Sequence, residues 1–170
     1  MLPFQKILCP TDYSEASLAA LDKAVELASH FGATLGLVHV VENLPPLAPE
    51  LGFVSFDVRV AEQDALAEAT RKLQAIVEGR VPSGVKVFTS VRLGHAAAEI
   101  VRLAEQEDAD LIVIATHGLT GWRHLVFGSV AEKVVQTAPC TVLTVRAPAH
   151  APVHDKRRES GAETFVGAAM

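Results

Sequence analysis

The chain predicts an α/β fold, a single three-layer sandwich in which five strands form a mainly parallel sheet covered by four helices. Three observations predict it. Short apolar runs of strand length alternate with stretches whose apolar residues recur at helical spacing. That alternation implies right-handed crossovers and helices on both faces of the sheet. Two of the runs, Thr34–Val41 and Leu111–Ala115, are apolar on both faces, as strands buried in such a sheet must be. The length of 170 residues, with 49% hydrophobic and 21% charged, suits one domain with a full core.

Taken in order, Phe4–Cys9 is the first strand, and Pro10-Thr11-Asp12 stops it. Ser14 can cap a helix along which Leu18, Leu21, Val25 and Ala28 recur until Gly32. Thr34–Val41 is the second strand. The stretch 42–56, with prolines at 45, 46 and 49, is a loop. A long helix runs from about Val58 to Gly79, with Ala61, Ala65, Ala69, Leu73 and Ile76 on one side. Val85–Val91 alternates as a third strand, ended by Gly94, and Ala97–Ala104 begins a helix that stops near Asp108. Asp110–Ala115 carries Leu-Ile-Val-Ile, the mark of a central strand. A loop over 116–127 leads to Gly128-Ser129 and a short helix through Thr137; Pro139 breaks it, and Thr141–Arg146 is the last strand. The segment 147–170, with Lys-Arg-Arg at 156–158 and no periodicity, reads as a disordered tail beside a domain at 1–146.

Composition excludes several classes. Apolar runs are far short of the ~20 residues that a spanning helix needs, and the amino terminus lacks a signal-peptide layout. A net charge of −5, from 15 basic and 20 acidic residues, implies no basic surface for nucleic acid. Two cysteines make no disulfide framework, so a cytoplasmic location is expected.

Ligands of open α/β sheets bind beyond the carboxyl ends of the strands, where the chain order reverses. Two strand ends here carry suitable residues: Pro10-Thr11-Asp12 after the first, and Thr116-His117-Gly118 after the fourth, ahead of Gly128-Ser129 at a helix start. A glycine turn feeding a helix amino terminus offers backbone N–H groups and the positive dipole end to phosphate. Glycines also end strands and start helices for structural reasons alone, so this feature leaves both readings open. Asp12 has a structural alternative as well, since Asp12 and Glu15 have capping-box spacing. The P-loop lysine motif and the GxGxxG fingerprint are both absent.

The opening Ile7-Leu-Cys-Pro-Thr-Asp-Tyr-Ser14 resembles that of the universal stress protein family. So do Thr116-His-Gly-Leu-Thr-Gly-Trp122, Phe127-Gly-Ser-Val-Ala-Glu-Lys-Val134 and Ala138-Pro-Cys-Thr-Val-Leu-Thr-Val-Arg146. The likeness covers residues 1–146 and implies a Rossmann-like sheet in the order 3-2-1-4-5. Members that bind ATP carry Gly, two residues, Gly, nine residues, then Gly followed by Ser or Thr. Here Gly118, the nine residues Leu119–Phe127, Gly128 and Ser129 keep that spacing, with Ala115 where the first glycine stands. The departure matters only if that position needs φ > 0, where alanine costs on the order of 1 kcal/mol.

Carried over residue by residue, the resemblance implies that Asp12 bonds the adenosine end and that Val40 meets adenine through its backbone. Pro10 and Thr11 shape that wall, Ile114 and Ala115 line the floor, and Gly118, Gly128, Ser129 and Val130 hold the phosphates. It also implies a homodimer joined antiparallel through Thr141–Arg146, which would otherwise be an open edge.

Other chemistries are weaker. His39 and His117 would flank Asp12 about 9–10 Å apart across two strand spacings, but there is no HxxxH spacing, and His150 and His154 lie in the tail. Magnesium carried on ATP phosphates is expected in place of a dedicated metal site. Ser14, Ser17 and Ser129 lack a nucleophile elbow. Cys9 and Cys140, two strands apart, are too distant to bridge and read as core thiols. Trp122 and Arg123 could meet a base or phosphate, pack inward, or join a partner. The leading expectation is an ATP-binding dimeric regulatory module of the stress response, acting on an unidentified protein partner without robust turnover. A nucleotide-free interaction dimer and a slow ATPase or phosphotransferase assisted by His117 or Asp12 are the alternatives.

Overall fold

The computed structural model describes residues 4–43, 58–116 and 128–146. The elements are β1 (Lys6–Pro10), α1 (Glu15–Phe31), β2 (Thr34–Val41), α2 (Val58–Arg80) and β3 (Val87–Leu93). They are followed by α3 (Ala96–Gln106), β4 (Leu111–Ala115), α4 (Ser129–Thr137) and β5 (Thr141–Val145). All five strands pair in parallel in the order β3-β2-β1-β4-β5, the Rossmann-like α/β arrangement that the resemblance implies. Most of the loop expected at 42–56, the span 117–127 and the tail from 147 onward lie outside the described residues.

Two cores sandwich the sheet. Ile7, Cys9, Leu35, Leu37, Leu111 and Val113 face α1 and the Leu73 side of α2. Leu8, Val38, Ile112 and Ile114 face the other way, onto Ile100 and Leu103 of α3 and Val134 of α4. Strand side chains alternate between faces, so each apolar run in the middle strands feeds both cores at once. α1 and α2 therefore share one face and α3 and α4 the other. The change of face comes where the chain passes from β3 at one edge to β4 beyond β1.

The ends of the elements follow local chemistry. Ser14 is the N-cap of α1, its side chain accepting from Ser17 N at 3.2 Å. Asp12 is not the cap: its Oδ1 accepts from Ser14 N at 3.1 Å and from Ser14 Oγ at 2.5 Å, closing a turn one step earlier. Gly32 ends the helix at φ 66°, and its N–H reaches Ala28 O. The third strand starts two residues later than its alternation suggests, because Val85 N bonds Pro82 O at 3.0 Å and keeps Val85 inside the turn.

Gly36 shows how tightly the β1-β2-β3 region is filled. It sits beside Leu8 and Phe88 in register, and a Cβ there would overlap the Phe88 ring and come within 3.0 Å of Leu8 Cδ1. The absent side chain is what lets Phe88, on an edge strand, fold over the sheet. We expect Gly36→Ala to destabilise the protein by about 1–3 kcal/mol through overpacking, and the loss to shrink when Phe88→Leu removes the obstacle. Thermal melts of the two single variants and the double variant check this; an equal loss in both backgrounds would rule the contact out as the cause.

Candidate functional site

Chain order reverses between β1 and β4, so the carboxyl ends of these neighbours splay their connections apart and open a crevice. The crevice encloses about 540 Å³, within the ordinary size of small-molecule sites. One wall is the end of β1 and the turn after it, with Pro10, Thr11 and Asp12; Val40 and Glu42 continue it from the end of β2. Ile114 and Ala115 form the floor at the end of β4, and Gly128, Ser129 and Val130 form the far wall at the start of α4. Nine of the ten residues expected at a ligand site thus line one cavity. The tenth, Gly118, lies outside the described residues with His117, Gly121, Trp122 and Arg123.

The turn after β1 is held by a closed set of hydrogen bonds. Thr11 N donates to Val38 O at 2.8 Å, extending the ladder one residue beyond the strand. Tyr13 N donates to Thr11 Oγ1 at 3.0 Å, and Ser17 Oγ donates to Ser14 O at 2.9 Å. Thr11 Oγ1 and Ser17 Oγ lie 2.9 Å apart. Each hydroxyl has one proton, so Thr11 must donate to Ser17, whose own proton is already placed. Both hydroxyls are buried at the cavity wall. Tyr13 adopts φ 67°, a left-handed backbone uncommon for a bulky residue. Its ring stacks on His39 with centroids 4.3 Å apart, and its hydroxyl donates to Ala69 O of α2 at 3.2 Å. Burial pushes that phenol up to about 12.

The opposite wall is a helix amino terminus. Gly128 is the N-cap of α4 and supplies no side-chain capping bond, while its N–H is tied to Thr116 O at 2.6 Å. The first N–H groups of a helix have no partner within it, and here the first two residues of α4, Ser129 and Val130, line the crevice. Ala115 belongs to β4 and pairs with Val145, with no positive φ, so its methyl group is unstrained. A glycine is not needed at that position. No lysine or arginine lines the crevice among the described residues, which leaves the α4 dipole as its positive pole and Asp12 and Glu42 at the other end.

Sequence reasoning missed several wall residues. Ser17 becomes visible once Ser14 is taken as the N-cap, because the third helical position then folds back beside Thr11. Tyr13 and Glu42 give no such signal, and the sequence marks His39 only as a possible metal ligand. Its Nδ1 instead lies 2.8 Å from Thr11 O, and no group of three or more metal-ligating side chains occurs among the described residues. Cys9 is fully buried, its thiol pushed up to about 12 by desolvation and by Asp22. Cys140 is half-buried, immediately before β5, and both thiols are free. A second groove, of about 480 Å³, runs between α3 and α4 past Val101, Arg102 and Lys133, and among the described residues no strand residue lines it.

Known proteins share this architecture. The chain is 37% identical over 146 residues to universal stress protein MJ0531 of Methanocaldococcus jannaschii, covering 85% of this chain and 84% of that one. Among solved structures, MJ0577 of the same organism superposes with a TM-score of 0.73 at 29% identity, covering 86% of this chain and 98% of the other. A universal stress protein of Archaeoglobus fulgidus, solved in complex with dAMP, shares the fold with a TM-score of 0.52 at 22% identity, over 85% and 98% of the two chains. The family model for universal stress proteins matches residues 3–146, which include every strand and helix described above. The chain belongs to the universal stress protein family.

Proposed function

We propose that the crevice binds an adenine nucleotide, ATP in the first instance, and that occupancy switches how a homodimer presents itself to a protein partner in the cytoplasm. One observation carries the reading: the switch-point cavity has a carboxylate turn at one end and an open helix amino terminus at the other. An adenosine has hydroxyl and amino donors for the first, and its phosphates suit the second. That an A. fulgidus family member has been solved with dAMP supports the choice of base.

Each group has a definite task. Asp12, oriented by Ser14, accepts from the ribose, and the Val40 backbone meets the adenine edge against Pro10 and Thr11. Ile114 and Ala115 form an apolar floor. The N–H groups of Ser129 and Val130 and the Ser129 hydroxyl cradle phosphate oxygens, with Gly118 and Gly128 allowing close approach. Because no cationic side chain lines the described walls, the remaining phosphate charge is met by magnesium carried in with the nucleotide. Those walls hold and orient the ligand, and the switch requires no turnover. Its output comes from a difference in affinity between the two dimer states for the ligand.

The test is calorimetric titration with magnesium ATP, using GTP as control. Affinity on the order of micromolar for ATP, about 8 kcal/mol, with GTP much weaker, is the expected result. No heat from any adenine nucleotide would leave the nucleotide-free interaction dimer as the better reading.

A further inference from the structure

We propose that His39 is a positioning residue for the nucleotide site, acting through Thr11 on Asp12; the inference rests on the nucleotide reading above. His39 lies near the end of β2, on the face that also carries Leu35 and Leu37. Its Nδ1 is 2.8 Å from Thr11 O. A carbonyl oxygen only accepts, so Nδ1 must carry the proton. That bond crosses from β2 to the first residue beyond β1, where the regular ladder ends. Thr11 N is already tied to Val38 O at 2.8 Å, so His39 holds the other side of the same residue. The Thr11 carbonyl belongs to the Thr11–Asp12 peptide. Holding its oxygen sets the plane of that peptide, and with it the place of the Asp12 Cα.

The turn needs such a brace. Tyr13, next in sequence, sits at φ 67°, and a bulky residue persists there only where its surroundings over-determine it. His39 contributes twice, through the carbonyl and through the ring that stacks on Tyr13 with centroids 4.3 Å apart. Lys72 of α2 stands over the Tyr13 ring as well, its Nζ 5.5 Å from the centroid. His39 also lines the cavity. A regular strand pairing would hold a backbone equally well but could not follow the chain into the turn, where the hydrogen bonds of the sheet stop. An imidazole with a proton on Nδ1 can.

The test compares side chains that keep or lose that one donor. The amide nitrogen of asparagine occupies the place of Nδ1, whereas glutamine carries its amide further out, toward the place of Nε2. Magnesium ATP affinity is measured by calorimetry for wild type, His39→Leu, His39→Gln and His39→Asn, with melting temperatures recorded alongside. We expect Leu and Gln to weaken binding about tenfold, the worth of one hydrogen bond at the upper end of its usual range. Asn is expected to restore affinity to within about threefold of wild type, a difference under 1 kcal/mol. A purely structural role would lower the melting temperatures without this pattern in affinity. If the Leu variant does not fold, the Gln and Asn pair carries the comparison. Wild-type affinity in Leu or Gln, or equal loss in Gln and Asn, would overturn the positioning role while leaving the nucleotide reading intact. Absence of binding by the wild-type protein would overturn both.

Discussion

A Ser129→Glu protein is expected to melt at or slightly above the wild-type temperature and to lose affinity for magnesium ATP by about a hundredfold or more. Ser129 is the first residue of α4 and is exposed at the crevice. A carboxylate in the first turn of a helix is favourable, by about 0.3–1 kcal/mol, because it meets the positive end of the dipole. The same carboxylate would occupy the place proposed for phosphate. The ligand would then lose the N–H cradle and also face a like charge, where no lysine or arginine among the described residues can offset it. A loss of about 2.7 kcal/mol corresponds to a hundredfold. Stability and binding are thus predicted to move in opposite directions, a result that general damage to the fold cannot produce. Parallel calorimetry and thermal melts decide it. Retained affinity would show that the ligand does not use the start of α4.

The same contrast between local and tertiary causes explains what was legible in the sequence. Thr34–Val41 and Asp110–Ala115 announce themselves as buried strands because apolar residues fall on both of their faces, and the structure gives the first those bounds and starts the second one residue later. Ser14 and Gly32 bracket α1 because capping chemistry is local. The third strand was displaced by two residues because alternation cannot see that Val85 N closes a turn onto Pro82. Strand order lay beyond periodicity altogether and came only with the family resemblance, because pairing is decided by contacts between distant segments. At the site, Asp12, Gly128 and Ser129 stood out as residue types that match a ligand's chemistry. Tyr13 did not, and His39 did so only as a possible metal ligand. Their importance arises from a stack and a hydrogen bond between residues 26 and 28 positions apart, and neither residue type implies such a contact. Ala115 is the reverse case: it departs from the family pattern in sequence, yet its ordinary strand backbone makes the departure inexpensive.

Leu143→Lys is expected to convert a dimer into a monomer that is as stable as the wild-type subunit. β5 lies at the edge of the sheet and pairs only with β4 among the described strands. An open edge of this kind is a template for a second copy, and we propose that two β5 strands join antiparallel across a twofold axis. Leu143, in the middle of the strand, is 41% exposed in the single chain. Covering that exposed part contributes about 1 kcal/mol, and twofold symmetry makes the contribution twice. Lysine removes both contributions. It also sets two ammonium groups near one another, adding roughly 1 kcal/mol of repulsion at the separations of a surface pair. The sum corresponds to a dimer weakened about a hundredfold, which sedimentation at fixed concentration would register as a shift to the monomer. A wild-type protein that sediments as a monomer would remove the interface altogether, whereas an unaltered dimer in the variant would move it to another face. Nucleotide affinity should not change in either case, because the described residues lining the crevice come from β1 and the turn after it, α1, β2, α3, β4 and α4 of one chain, and none comes from β5. Joint loss of dimer and binding would mean that the second copy completes the site.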